Sequence, residues 1–154
     1  MDHHKNDCFK LLASKLKHEK DLVAVDRIMV AIDNEFERCQ QNCERTERDL
    51  DRVTLLLRVH DNHVEPNHRH EDEHNVLVLE QRHLYLTWER DHLARQHADL
   101  VRREEIGLNE TDRINIALAD VKRKCSAMTE NEGPEVVANW RVEFQKHVDI
   151  VDGY

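Results

Sequence analysis

Hydrophobic residues recur at alternating intervals of three and four along two long stretches of this chain. The first stretch runs from Leu22 to Val64 and the second from Val76 to Met128. Intervals that average 3.5 residues keep one side of an α-helix turned toward a neighbouring helix. The pattern therefore predicts two long helices that pack through a continuous apolar seam.

The predicted partner-binding seam consists of the apolar residues at the a and d positions of the heptads. These are Leu22, Val25, Met29, Ile32, Phe36, Leu50, Val53 and Leu57 in the first stretch, and Leu79, Leu86, Leu93, Leu100, Ile114, Leu118 and Val121 in the second. The second stretch also places polar side chains at a positions, namely His83, Arg90, His97 and Glu104. Polar residues in a seam specify register and partner at some cost in stability.

Two interruptions divide the chain, one around Pro66 and one at Gly133-Pro134. Proline cannot continue a helix, and glycine followed by proline is typical of a helix end and a new helix start. We predict an N-terminal helical segment over 1–63, a break over 64–70, a second heptad helix over 71–131 and a short helix over 134–154. Gly107 sits at a seam position and predicts a possible kink.

The expected fold class is all-α: an elongated coiled coil or helical hairpin with two long heptad helices and a short C-terminal helix. Only three Gly and two Pro occur in 154 residues. A chain with so few turn-forming residues has little material for a sheet, whose strands need many turns.

The C-terminal segment predicts an amphipathic helix with its aromatic residues on one face. We expect a docking face formed by Val137, Trp140, Phe144 and Val148. Docking onto the chain's own long helices and docking onto a partner are equally open.

Charges beside the seam of the first stretch are acidic, and its arginines fall on the outward positions of the heptad. Opposite charges at flanking positions help to choose a partner, so this stretch favours a helix with basic flanks over a second copy of itself. The second stretch offers such basic groups. If the chain folds back near Pro66, Arg90 would lie opposite Asp49 and Leu50.

The apolar stripe is wider than a two-helix seam at several places. The sequences 28–32 and 55–57 are apolar throughout or nearly so, and Leu77 and Leu84 stand beside the seam residues Leu79 and Leu86. Wide stripes suit packing of three or four helices. A single hairpin would leave this surface exposed, so further helices are expected from elsewhere.

Composition narrows the classes of partner. The formal net charge of −9 disfavours nucleic acid and anionic membrane, which are themselves polyanionic. No apolar run is long enough for a membrane span, and the N-terminus lacks the pattern of a secretory signal. Four cysteines without regular spacing do not suggest a disulfide framework. We expect an intracellular protein, cytoplasmic or nuclear, with no small-molecule substrate.

Histidines are the main candidates for chemistry. Five of them lie between His60 and His74, and His70 and His74 have a helical spacing that could bind zinc. Glu-x-x-His patterns contribute to di-iron sites in helical bundles. All three here fall on the predicted second helix, 71–131, and the acidic residues of the first stretch flank its seam instead of filling it. Cys39 and Cys43 are best explained as small apolar seam residues. We expect no cofactor, no catalytic residues and no enzyme activity.

The sequence thus favours a non-enzymatic coiled-coil subunit. Such a subunit would scaffold or tether a multi-subunit intracellular complex, of cytoskeletal, kinetochore, nuclear-pore or trafficking type, by hetero-oligomeric helix packing. Two alternatives remain open: a helical protein that binds metal through its histidine cluster, and a self-sufficient coiled-coil homodimer.

Overall fold

The computed structural model describes the backbone of residues 2–63 and 69–152, and the side chains of residues 3–60 and 73–151. Three helices account for the described part: α1 (Asp2–His63), α2 (Arg69–Glu132) and α3 (Pro134–Asp152). The predicted all-α fold with two long helices and a short C-terminal helix is confirmed.

Helix boundaries differ slightly from those predicted. Helix α2 begins at Arg69 instead of residue 71, because the polar, histidine-rich residues there carry no hydrophobic signal from which to locate a start. It continues through Gly107 without interruption. The predicted break around Pro66 falls mostly on residues 64–68, which lie outside the described residues.

The junction between α2 and α3 follows the glycine–proline signal. Gly133 has a φ of 93°, a left-handed conformation that L-residues with a Cβ rarely adopt. Its N–H donates to the Thr129 carbonyl oxygen at 3.0 Å, which closes the last turn of α2. Pro134 then occupies the first position of α3, where the missing N–H is not needed, and Val137 N–H donates to the Gly133 carbonyl oxygen at 3.2 Å.

Contacts group the chain into two compact units. Unit 1 comprises Met1–Met29 and Ile106–Tyr154, and unit 2 comprises Val30–Glu105. In unit 2, Glu35 contacts Arg103 and Cys39 contacts the Leu93 carbonyl, so α1 and α2 run antiparallel there. In unit 1, His4 contacts Glu132 while Met29 lies against Gly107, which is the same antiparallel arrangement.

Candidate helix-docking surfaces

The predicted seam of unit 2 is packed inside the unit. Leu50, Val53 and Leu86 form a buried cluster, and Leu57 and Leu79 pack against it. The remaining seam residues of this unit are buried or half-buried: Ile32, Phe36, Leu93 and Leu100. Helix α2 therefore covers the seam of α1 in this unit. Whether a partner helix also reaches these residues stays a prediction.

Polar and aromatic contacts set the register in unit 2. Arg103 donates to Glu35 Oε2 at 3.1 Å, with both side chains more than two-fifths exposed. Cys39 Sγ donates to the Leu93 carbonyl oxygen at 3.7 Å, and the Phe36 and His97 rings meet edge to face at 5.4 Å between centroids. Glu35, one of the acidic residues beside the seam of α1, is therefore paired with a basic residue of the same chain.

The hairpin hypothesis placed Arg90 opposite Asp49 and Leu50. Arg90 Nε lies 3.6 Å from the carboxylate of Asp91, and Leu50 packs with Leu86, one helical turn before Arg90. The two helices run antiparallel here, as the hairpin hypothesis expects, while the position of Arg90 opposite Asp49 stays a prediction.

In unit 1 the seam is equally internal. Ile114, Leu118 and Val121 are buried, and Leu22, Val25 and Met29 are half-buried. A Cβ on Gly107 would collide with the Met29 sulfur, so the missing side chain is what lets Met29 lie over α2. The absence of a side chain at Gly107 thus contributes to packing at the seam, while the kink expected there stays a prediction.

The predicted C-terminal docking face lies within unit 1. Val137 is buried, and Trp140, Phe144 and Val148 are half-buried. The Phe144 ring contacts Phe9 of α1 at 5.7 Å between centroids. Lys5 Nζ donates to Glu143 Oε1 at 2.6 Å beside this ring pair. The C-terminal helix thus packs on the chain's own α1, while docking onto a partner stays a prediction.

A groove remains between α1 and α3 in unit 1, with a volume of about 510 Å³. Its apolar wall is formed by Leu16, Phe144, Val148 and Val151, and Lys17 lies at its edge. The groove shows that α3 leaves part of α1 uncovered at this place.

The cysteine side chains are buried or half-buried. Cys8 is buried in unit 1, where burial raises the pKa of its thiol; nearby Cys125 raises it further and Arg141 lowers it. Burial also raises the pKa of Cys43, and Cys39 beside it adds to that effect. Thiols with raised pKa values are poor nucleophiles and poor metal ligands at neutral pH. All four cysteines are free thiols.

The histidine candidates are not gathered into a site within the described residues. His74 is exposed, and the side chain of His70 lies outside the described residues. Among the residues that the structure describes, no group of three or more His, Cys, Asp or Glu side chains has a geometry that could hold a metal ion. The zinc hypothesis stays a prediction without a supporting contact.

Unit 2 carries exposed apolar side chains outside the seam on each of its two helices, and we call the two groups together the apolar surface of unit 2. It consists of exposed side chains on both helices: Leu55, Leu56 and Val59 on α1, and Leu77, Val78, Leu84, Tyr85 and Trp88 on α2. Leu84 and Trp88 are 72 % and 56 % exposed. Exposed apolar side chains that are grouped on one helix face, as Tyr85 and Trp88 are on α2, are candidates for interaction sites.

Aromatic rings form the centre of the α2 part of this surface. The Trp88 and Tyr85 rings lie 6.3 Å apart, and the His92 ring stacks on Trp88 at 5.3 Å with an interplanar angle of 3°. Rings held against one another lose little side-chain entropy when a partner covers them, which is one reason why Trp and Tyr are enriched at binding hot spots.

Sequence reasoning identified part of this surface and missed its centre. The width of the apolar stripe pointed to Leu77, Leu84 and 55–57, but Tyr85 and Trp88 were not singled out. Both lie at outward heptad positions, and an apolar residue at such a position was the signal that could have found them.

Two further observations bear on function. None of the helices in the described ranges 2–63 and 69–152 has an apolar segment that could cross a bilayer. Comparisons of this chain with protein-family models, with curated proteins and with solved structures find no match.

Proposed function

We propose that this chain is a non-enzymatic, helical subunit that scaffolds or tethers a multi-subunit intracellular complex by packing against helices of other proteins. The observation that carries the proposal is the apolar surface of unit 2. It remains exposed after α1 and α2 have buried their shared seam.

The energy available at this surface supports a docking role. Covering one large apolar side chain stabilises an association by about 1.5–3 kcal/mol before the costs of ordering are subtracted. A helix that covered Leu84, Trp88 and their neighbours would gain free energy of the same order as the cost of association, which is about 4–15 kcal/mol. Helices that are apolar on more than one face are typically covered on more than one face.

The distribution of polar groups supports a structural rather than a catalytic role. Among the described residues, the buried polar or charged side chain is Thr46, which does not ionise. Catalytic acids and bases usually need burial or a close charge to shift their pKa values toward neutrality. The ion pairs among the described residues are partly or largely exposed, as with Arg102 and Asp99.

Light scattering coupled to size-exclusion chromatography tests the proposal. The isolated chain, measured at several concentrations, should show no discrete oligomer. Its mean mass should rise gradually with concentration, because uncovered apolar surfaces associate without a defined stoichiometry. A sharp homodimer or homotetramer that persists on dilution would overturn the proposal in favour of a self-sufficient coiled coil.

A further inference from the structure

The outward face of α1 in unit 2 carries a stripe of arginines, although the chain as a whole is acidic. At alternating spacings of three and four, residues 38–59 place on this face Arg38, Gln41, Arg45, Arg48, Arg52, Leu55 and Val59. All seven side chains are exposed. The stripe contains no carboxylate and ends in the α1 part of the apolar surface of unit 2. We call it the arginine stripe.

Among the described residues, these arginines make no ion pair with a carboxylate. Arg45 donates to the Asn42 amide oxygen, a neutral acceptor, at 2.9 Å. Acidic residues do stand one turn away along the helix, since Glu44 precedes Arg48 by four residues and Asp49 precedes Arg52 by three. Because no ion pair joins them among the described residues, the guanidinium groups can bind an external carboxylate.

The choice of cation also points to an interface. From residue 21 to residue 121 every basic side chain is an arginine, whereas lysines occur only outside that range. Arginine is enriched at protein interfaces and lysine is depleted, because the guanidinium group is weakly hydrated and binds carboxylates through two parallel hydrogen bonds.

We propose that the arginine stripe is the docking site of an acidic amphipathic helix from another protein. Its Asp or Glu side chains would pair with Arg45, Arg48 and Arg52, and its apolar side chains would cover Leu55 and Val59. The stripe spans about 30 Å of helix, since each residue rises 1.5 Å, and this length suits a partner helix of some six turns. The inference rests on the proposed function and specifies the chemistry of the partner.

Charge favours this occupant over a second copy of the chain. A second copy packed through the same stripe would bring arginine against arginine. That arrangement places like charges together, which is destabilising.

Charge also favours a helix over nucleic acid. Glu44 and Asp51 flank the stripe on one side, and Glu35 and Asp49 flank it on the other. A partner helix can place its few carboxylates opposite the arginines and neutral side chains opposite these flanking carboxylates. A nucleic-acid backbone, which needs several neutralised phosphates for useful affinity, would face them as well.

A synthetic peptide tests the inference on the full chain. The probe is a fluorescently labelled helical peptide with Glu at the positions facing the arginines and Leu at those facing Leu55 and Val59. The matched peptide carries Gln in place of Glu. By fluorescence anisotropy, the Glu peptide should bind at least about tenfold more tightly than the Gln peptide, and added salt should weaken its binding because exposed charge pairs are screened.

Charge-reversed variants locate the binding site. The triple variant Arg45→Glu, Arg48→Glu, Arg52→Glu should lose the preference for the Glu peptide. The control variant Arg82→Glu, Arg95→Glu, Arg102→Glu makes the same change of charge on α2 and should keep it. Circular dichroism should show equal helicity for both, and the milder triple Arg→Gln variant at 45, 48 and 52 gives the same comparison if reversal unfolds the chain.

The outcomes separate this inference from the proposed function. Equal binding of the Glu and Gln peptides, loss of binding in the α2 variant alone, or displacement of the Glu peptide by double-stranded DNA at equal charge would each overturn the arginine stripe as a site for an acidic helix. None of these results would alter the light-scattering test, in which a stable homo-oligomer overturns the proposed function itself.

Discussion

Ile114 and Ile116, two residues apart in α2, have opposite environments. Ile114 is 1 % exposed and Ile116 is 73 % exposed. The heptad register explains the difference, since Ile114 falls on the seam and Ile116 on the outward face. At the residue scale, position within the heptad decides burial more than side-chain type does.

This pair yields a matched test of the seam. Replacing Ile114 by Ala should lower the free energy of unfolding by about 2–4 kcal/mol, because it removes buried apolar contacts and leaves a cavity. Replacing Ile116 by Ala should change it by less than about 0.5 kcal/mol. Urea denaturation followed by circular dichroism measures both. Equal losses in the two variants would mean that the seam register is wrong.

The buried thiol of Cys8 makes stability depend on pH. Burial raises its pKa, and Cys125 nearby raises it further. A thiol with a raised pKa in the folded state contributes stability that is complete below its unfolded pKa and is lost as pH rises through the folded pKa. The free energy of unfolding should therefore fall from neutral to alkaline pH.

The variant Cys8→Ala isolates this contribution. It lacks the thiol, so its stability should fall less between neutral and alkaline pH than that of the wild-type chain. Urea denaturation at both pH values gives the two differences. If the loss is the same in both proteins, ionisation of Cys8 does not contribute.

At the scale of elements, the end of α2 and the start of α3 depend on one backbone conformation. Gly133 has a φ of 93°, and a Cβ placed on it would have no atom within 4 Å. Any substitution there costs free energy through backbone strain and not through a collision. The predicted helix break at 133–134 is thus explained by the conformation that only glycine adopts easily.

Replacing Gly133 by Ala should lower the free energy of unfolding by about 1 kcal/mol. Gly133→Asn serves as the control, since asparagine tolerates the left-handed region better and should cost less. Thermal denaturation followed by circular dichroism ranks the three proteins. An alanine variant as stable as the wild-type chain would contradict the left-handed conformation.

At the scale of the whole molecule, association with other helices depends on the apolar side chains that stay exposed after each unit has packed. The seam residues Leu50, Val53 and Leu86 are buried within unit 2, while Leu84 and Trp88 stay exposed. Association should therefore depend on the second group and stability on the first.

Glutamate substitutions separate these two roles. The variant Leu84→Glu, Trp88→Glu should show a smaller rise of mean mass with concentration in light scattering, with helicity unchanged, because burying its new charges is costly. Ile116→Glu, at a position as exposed as Leu84 but in unit 1, is the control and should leave the concentration dependence as it is. Equal behaviour of both variants would exclude the apolar surface of unit 2 as the cause of association.

The sequence by itself determined the helices and their inward faces. Heptad spacing separates Ile114 from Ile116 because helical periodicity is local, and the glycine–proline pair at 133–134 limits the chain's conformation wherever it is placed. Only the tertiary structure decided what covers those faces. Arg103 meets Glu35, Phe144 meets Phe9, and α2 covers the seam of α1, while Trp88 is left outside. An amphipathic pattern predicts that the apolar face of a helix is covered. The chain's own helix and a helix of another protein can cover that face equally well. Which of them does so depends on contacts between residues far apart in the sequence.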